Sequence, residues 1–372
     1  MKKTIMSVCS VAALLGMVMT FASCTSKEEK IAQAIELIKQ EKVAEAVAIY
    51  QELEDVQDTT LLNRLGDVYA DGEGIKQDSV KALTFFEKSA NLGNPYAMVE
   101  IGIAYEYALG GYKKDEKEAF RWYKKAAELD YDRGLRNVGI FYRDGTGVEK
   151  DPQKAIEYFK KAIEKGNVYA MLNLAYMYKE GDGVLVNMEE AIKYYQMAAD
   201  KKDADALDEL GRIYDNGKGV KKDPKKAFEC WLKAAELGNQ YSQYSVAYDY
   251  ANGIGTTKDY KKAVEWYLKA VNQGNVSAML NLGYMYDKGQ GVEQNWQKAV
   301  EMYQKAAEKG NAQAQFNLAW CYYHGEGVTM NKTEAAKWWK KSSNQGNEGA
   351  KQWLNKMMYD GDLIVYDEGD PN

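Results

Sequence analysis

Residues 206–239 read ALDELGRIYDNGKGVKKDPKKAFECWLKAAELGN, and the same pattern returns along the chain every 36 residues. Aligned on one small residue, the copies fall at Gly66, Gly102, Gly139, Ala175, Gly211, Ala247, Gly283 and Ala319, with a single step of 37 after Gly102. A period of this size marks stacked supersecondary units, each of which buries its apolar face on its neighbours. The expected architecture is an all-α solenoid, which offers a long surface rather than one enclosed pocket.

Each copy carries two helical patterns. In the first, Ala170, Leu174, Ala175 and Tyr178 share one helix face, as do Ala206, Leu210, Gly211, Tyr214 and Ala278, Leu282, Gly283, Tyr286. Glycine inside a helix costs about 1 kcal/mol against alanine, so close packing of a neighbouring helix is the expected compensation. The second pattern runs Ala155, Tyr158, Phe159, Ala162, Ile163. Asp78, Asp115, Asp151, Asn187, Asp223, Asp259, Asn295 and Asn331 mark its start in all eight copies, because their side chains can take an orphan backbone N–H. Pro152 and Pro224 follow at the position where proline costs least. Six copies end in Gly-Asn, as at Gly238-Asn239, a left-handed C-cap signature; Asp130 and Lys202 replace the glycine in the other two.

Between the helices lies Gly-x-Gly, as at Gly217/Gly219; the second copy departs with Leu109-Gly110-Gly111-Tyr112. No strand pattern precedes these loops and no third glycine follows, so they read as turns and not as phosphate cradles.

The composite pattern resembles the Sel1-like repeat over about residues 59–347. The resemblance implies a right-handed α-solenoid of helix-turn-helix repeats, related to tetratricopeptide arrays, acting as a scaffold or adaptor. Some members of that family hold a disulfide in each repeat; this chain lacks those cysteines.

The N-terminus reads differently. Lys2 and Lys3 precede an apolar or small stretch from Ile5 to Ala22, a bacterial signal peptide spanning residues 1–23. Phe21-Ala22-Ser23-Cys24 resembles a lipobox, which implies lipidation of Cys24, and Lys27-Glu28-Glu29 resembles the export signal of surface lipoproteins. The expected location is the bacterial cell envelope, anchored by lipid to the outer membrane. Residues 24–58 read as a tether and an N-terminal hairpin cap from Ile31 to Leu53, with Ser26-x-x-Glu29 and Thr25-x-x-Glu28 as possible capping boxes. Residues 348–358 read as the first helix of an incomplete ninth repeat, and residues 359–372 as an acidic, disordered tail.

Charge and chemistry narrow the function. Removing residues 1–23 takes Lys2 and Lys3 from 49 basic residues and nothing from 55 acidic ones, leaving 47 against 55, net −8. Nothing in that balance attracts nucleic acid. His324 is the only histidine, which excludes His-Asp triads and paired-histidine zinc sites. Cys230 and Cys321 lie on helical patterns three repeats apart and read as unbridged packing residues. No catalytic residue, metal site or cofactor is expected.

The aromatic content points to binding. In tetratricopeptide arrays the first helix lines the concave face at fixed offsets from the small residue, here −6, −3, +1, +4 and +5. By that resemblance the partner-binding residues are Tyr169, Leu172 and Tyr176; Tyr241, Tyr244 and Tyr248; Leu280 and Tyr284; and Phe316, Trp320 and Tyr323. Asn173, Asn281 and Asn317 stand at −2, placed either to bond a peptide backbone or to serve the repeat itself. Tyrosine and tryptophan on such a face make rigid amphipathic anchors. Arg133, Arg136 and Arg143 share a face in the third repeat, open to an anionic group or to local pairing with Asp132 or Asp144. A scaffold binding a protein or extended peptide is the leading reading, with a glycan-binding protein or an envelope hydrolase of unidentified chemistry as alternatives.

Overall fold

The caps seen in the sequence set the length of most repeat helices. The computed structural model describes residues 26–53 and 55–361, and among these it contains nineteen helices and no strand. The leader, Cys24 and the tail beyond Gly361 lie outside the described residues. The chain divides into two units, the first ending at Leu185 and the second starting at Val186.

The first unit holds a hairpin, α1 (Lys27–Lys39) and α2 (Val43–Gln51), followed by α3 (Thr59–Asp71), α4 (Ser79–Asn91), α5 (Pro95–Tyr107), α6 (Glu116–Glu128), α7 (Asp132–Asp144), α8 (Pro152–Glu164) and α9 (Val168–Glu180). The second holds α10 (Met188–Asp200), α11 (Ala204–Asn216), α12 (Pro224–Glu236), α13 (Gln240–Asn252), α14 (Tyr260–Asn272), α15 (Val276–Lys288), α16 (Trp296–Glu308), α17 (Ala312–His324), α18 (Lys332–Asn344) and α19 (Glu348–Tyr359).

The start signals of the second helices act as N-caps. Asp151 accepts from the Lys154 N–H at 3.0 Å, Asp223 from that of Lys226 at 3.0 Å, and Asn295 from that of Lys298 at 2.9 Å. Such a cap contributes about 1 kcal/mol. The Gly-Asn pairs divide between two helices. Gly238 takes the left-handed turn that ends α12 (φ 97°), and Asn239 caps α13 by accepting from the Ser242 N–H at 2.9 Å. Asp130 and Lys202 adopt the same left-handed turn (φ 56° and 63°) despite carrying a Cβ.

Where the small residue of a first helix is glycine, it faces an aromatic ring of the paired second helix. A Cβ at Gly102 would stand 2.5 Å from Tyr123 Cε1, and one at Gly283 would stand 2.7 Å from Tyr303 Cε1. Both rings are buried. The second glycine of the connecting loop forms the joint to the preceding repeat: Gly147 presses on the Glu116 carbonyl and Gly291 on that of Tyr260, leaving no room for a side chain.

The tyrosine three places after the small residue corrects the sequence reading. Tyr178, Tyr214 and Tyr286 are half-buried, whereas Ile213 and Met285, one place earlier, are fully enclosed. A helix turns about 100° per residue, so this tyrosine lies at the rim of the buried face. The rings of Tyr214 and Tyr286 lie beneath the ammonium groups of Lys226 and Lys298, at 5.4 and 5.3 Å. Their carbonyls accept from the backbone N–H groups of Asp223 and Asn295. The ring therefore clasps the start of the second helix.

The two ends of the array carry the elements their sequences suggest. Ser26 and Glu29 form a reciprocal capping box, so α1 begins at Lys27 and the stretch after Cys24 holds almost no tether. At the other end, α19 packs Ala350 and Met357 into a cluster with Ala335 and Trp339, and the Trp353 ring stacks on Trp339 at 5.3 Å.

Candidate functional site

The second unit presents two open cavities that repeat one period apart. The first, about 290 Å³, is lined by Tyr248, Tyr267, Asn281 and Tyr284, with Tyr260 and Gln290 beside them. The second, about 190 Å³, is lined by Tyr284, Tyr303, Asn317 and Trp320, with Phe316 and Glu326 at its margin. Adding 36 to each of the first four numbers gives the second four. Tyr284 belongs to both cavities.

The helical register produces this arrangement. Tyr248, Tyr284 and Trp320 each follow the small residue by one place, which turns them away from the paired second helix. Tyr248 and Tyr284 are 43% and 47% exposed, unusual for rings of their size in a packed array. Tyr267 and Tyr303 form the cavity floors and are buried. Asn281 Nδ2 donates to the Tyr267 hydroxyl at 3.0 Å, so this amide serves the repeat by fixing the floor of the cavity. Asn317 accepts from Gln313 Nε2 at 2.9 Å.

The register changes one period further on. Position 353, one period after Asn317, is tryptophan. Its indole packs edge-on against Trp320 at 5.1 Å, and the ring of His324 lies 4.4 Å from Trp320. The only histidine is thus the last residue of α17, set among aromatic rings. The remaining predicted residues vary in exposure. Tyr241 is 56% exposed, while Tyr244, Leu280, Phe316 and Tyr323 are half-buried. Tyr244 packs on Tyr267 at 6.0 Å, and Tyr323 on Trp339 and Trp353 at 5.4 Å each.

In the first unit, α9 carries Tyr169, Leu172, Asn173 and Tyr176, of which Tyr169 and Tyr176 are 62% and 47% exposed. The three arginines of α7 stand beside them at the same repeat offsets. Arg143 forms two bonds to Asp144 (2.6 and 2.9 Å) and donates to Asn173 Oδ1 at 3.2 Å. Arg133 pairs with Glu100 at 2.9 Å, not with Asp132, which instead accepts from Asn167. Arg136 lies over the Tyr169 ring at 5.3 Å.

The cysteines among the described residues are Cys230 and Cys321. Both are unbridged, and burial pushes the Cys321 thiol up to about 12, so it stays protonated. Sequence reasoning missed a buried acid: Asp249 sits where other repeats carry Ile213, Met285 or Cys321, and one carboxylate oxygen has no partner. Burial, and then the charge of Asp215, push its carboxyl up to about 7.

Comparison with known proteins agrees with this architecture. The Sel1 repeat profile matches residues 61–94, 95–131, 133–167, 168–203, 204–239, 240–275, 276–311 and 312–347. A Sel1 repeat protein from Oxalobacter formigenes is 26% identical, with 90% of this chain and 95% of that chain covered at a TM-score of 0.62. The protective antigen c5321 of uropathogenic Escherichia coli, which displays an SLR fold, is 29% identical, with 91% and 83% covered at a TM-score of 0.59. An F-box protein of Arabidopsis thaliana is 36% identical over 92 residues, a stretch that spans 24% of each chain. Sel1 repeats generally mediate protein–protein contacts and form a non-catalytic scaffold. With eight matched copies between Leu61 and Asn347, the chain belongs to the Sel1 repeat family.

Proposed function

We propose that this chain is a lipid-anchored scaffold of the bacterial cell envelope, holding a protein partner as an extended segment on the first-helix face of its repeats. The observation that carries the reading is the pair of cavities sharing Tyr284. At about 190 and 290 Å³ they lie below and at the lower edge of the roughly 300–1,000 Å³ of small-molecule sites. Each suits a single side chain, and their regular spacing suits successive side chains of one strand of peptide. Exposed tyrosines between the cavities supply rigid, amphipathic contact at low entropic cost. The anchor rests on the lipobox-like Phe21-Ala22-Ser23-Cys24 after the apolar leader. Multiple acyl chains hold a protein to a membrane stably where one does not.

Crosslinking in native envelopes followed by mass spectrometry tests the binding. Tyr248→Ala with Tyr284→Ala should lose the captured protein while melting within a few degrees of the parent chain. Tyr303→Ala, which removes a buried floor residue, should lower the melting point. A surface double variant that keeps its capture would place binding elsewhere, and capture of glycan in place of protein would favour a saccharide ligand. Cys24→Ser should abolish lipid labelling and membrane retention; retained labelling would remove the anchor. Protease treatment of intact cells separates a surface-facing chain from a periplasmic one.

A further inference from the structure

Three guanidinium groups stand on α7, and two of them are already neutralised. Arg133 is held by Glu100 and lies against the Tyr96 ring, and Arg143 is held by Asp144 and Asn173. Arg136, between them in sequence, makes no ion pair among the described residues. Its Nε is buried with no hydrogen-bond partner, and its guanidinium carbon stands 5.3 Å from the centroid of the exposed Tyr169 ring. Burial, and then the charge of Arg133, disfavour this cation where it stands. Exposed Tyr107 of α5 is close enough to feel it: Glu106 raises that phenol and Arg136 opposes the rise. A guanidinium resting on an aromatic face keeps its in-plane N–H groups available, and that fork matches a carboxylate.

We propose that Arg136, flanked by Tyr169, is the receptor for one carboxylate side chain of a peptide bound along the first unit. Charge selects the ligand. After the Glu100 and Asp144 pairs, Arg136 is the one guanidinium of α7 without a carboxylate, while Asp132, the remaining acid of that helix, is turned to the Asn167 amide. The chain as a whole is acidic, with a formal charge of −6, and repels polyanions at a distance. An aromatic or aliphatic residue next to the acid would lie on Tyr169. The assignment rests on the reading of the array as a peptide binder and adds the chemistry of one contact to it.

Selection of a random-peptide library on the purified full chain tests the assignment. The enriched peptides should hold Asp or Glu at one fixed position. A synthetic peptide from that set should bind Arg136→Gln about tenfold more weakly than the parent chain, the scale of a lost charge-assisted fork. Its Asn or Gln counterpart should bind both chains alike. Arg136→Lys, which keeps the charge and loses the fork, should fall between them, and circular dichroism should show both variants folded like the parent. Acetate and inorganic phosphate at equal concentration should compete comparably. A library that enriches no peptide overturns the peptide-binding reading itself. Enriched peptides without a fixed acid, or with an acid whose contribution survives Arg136→Gln, overturn this assignment and leave that reading standing. Markedly stronger competition by phosphate overturns the choice of a carboxylate.

Discussion

Asn281 donates to the phenol oxygen of Tyr267 at 3.0 Å, joining the first helix of one repeat to the second helix of the repeat before it. Tyr267 is buried and Asn281 half-buried, so the two partners are not equivalent. Asn281→Ala strands a buried hydroxyl and should destabilise by about 1–2 kcal/mol, whereas Tyr267→Phe leaves an amide that water can reach and should cost about 1 kcal/mol or less. Urea titration of both single variants and the double variant measures the coupling. Strict additivity would mean that the bond adds nothing between repeats.

Gly211 faces the Trp231 indole with no space for a further carbon. Gly211→Ala should destabilise by roughly 1–3 kcal/mol and Gly211→Leu by more, because the helices must separate or the ring must leave its place. Asp223→Ala, which removes one N-cap, should cost about 1 kcal/mol. An order of effects with the cap above the glycine would contradict ring-on-backbone packing as the main contact within a repeat.

Asp249 makes stability depend on pH in an unusual direction. Its folded pKa of about 7 lies above the unfolded value near 3.9, so the native state holds the proton more tightly. Its contribution is present in full below about pH 4 and is lost as pH rises through 7. Urea midpoints should therefore fall across that window in the parent chain and fall less in Asp249→Asn. Identical pH profiles would show that the carboxyl titrates normally.

Lys202 occupies a left-handed turn that glycine fills in most repeats. Replacing it by glycine relieves steric strain and loosens the unfolded chain, two opposed effects of similar size. The relief should prevail, with Lys202→Gly stabilising by about 0.5–1 kcal/mol in thermal melts. A lower melting temperature would show that the turn tolerates a Cβ at no cost.

The repeat was legible because its signals are local and copied eight times. Asp151, Pro152 and the first glycine of each loop act through their own backbone geometry, which a single sequence carries in full. The fixed offset from Gly283 to Tyr303 was equally present in the sequence, but which ring met which glycine depended on the turn between the helices. The half-burial of Tyr214 was missed because a helical period places a residue on a face without deciding how far that face extends. Asp249 left a signal, an acid where neighbouring copies are apolar. The idle state of Arg136 left only half a signal: Arg143 and Asp144 are neighbours in sequence, but pairing Arg133 with Glu100 requires α5 and α7 to be in place together. Trp353 fills a cavity position only by register across repeats, which comparison with Asn317 would have revealed.

The capping box at Ser26 bears on how the molecule moves. Between Cys24 and the first helical residue stand only Thr25 and Ser26, which even fully extended reach about 7 Å. If Cys24 carries lipid, the array has a pivot at the bilayer instead of a leash. Its first helix, α1, would stay beside the headgroups, and lipid and hairpin would turn together.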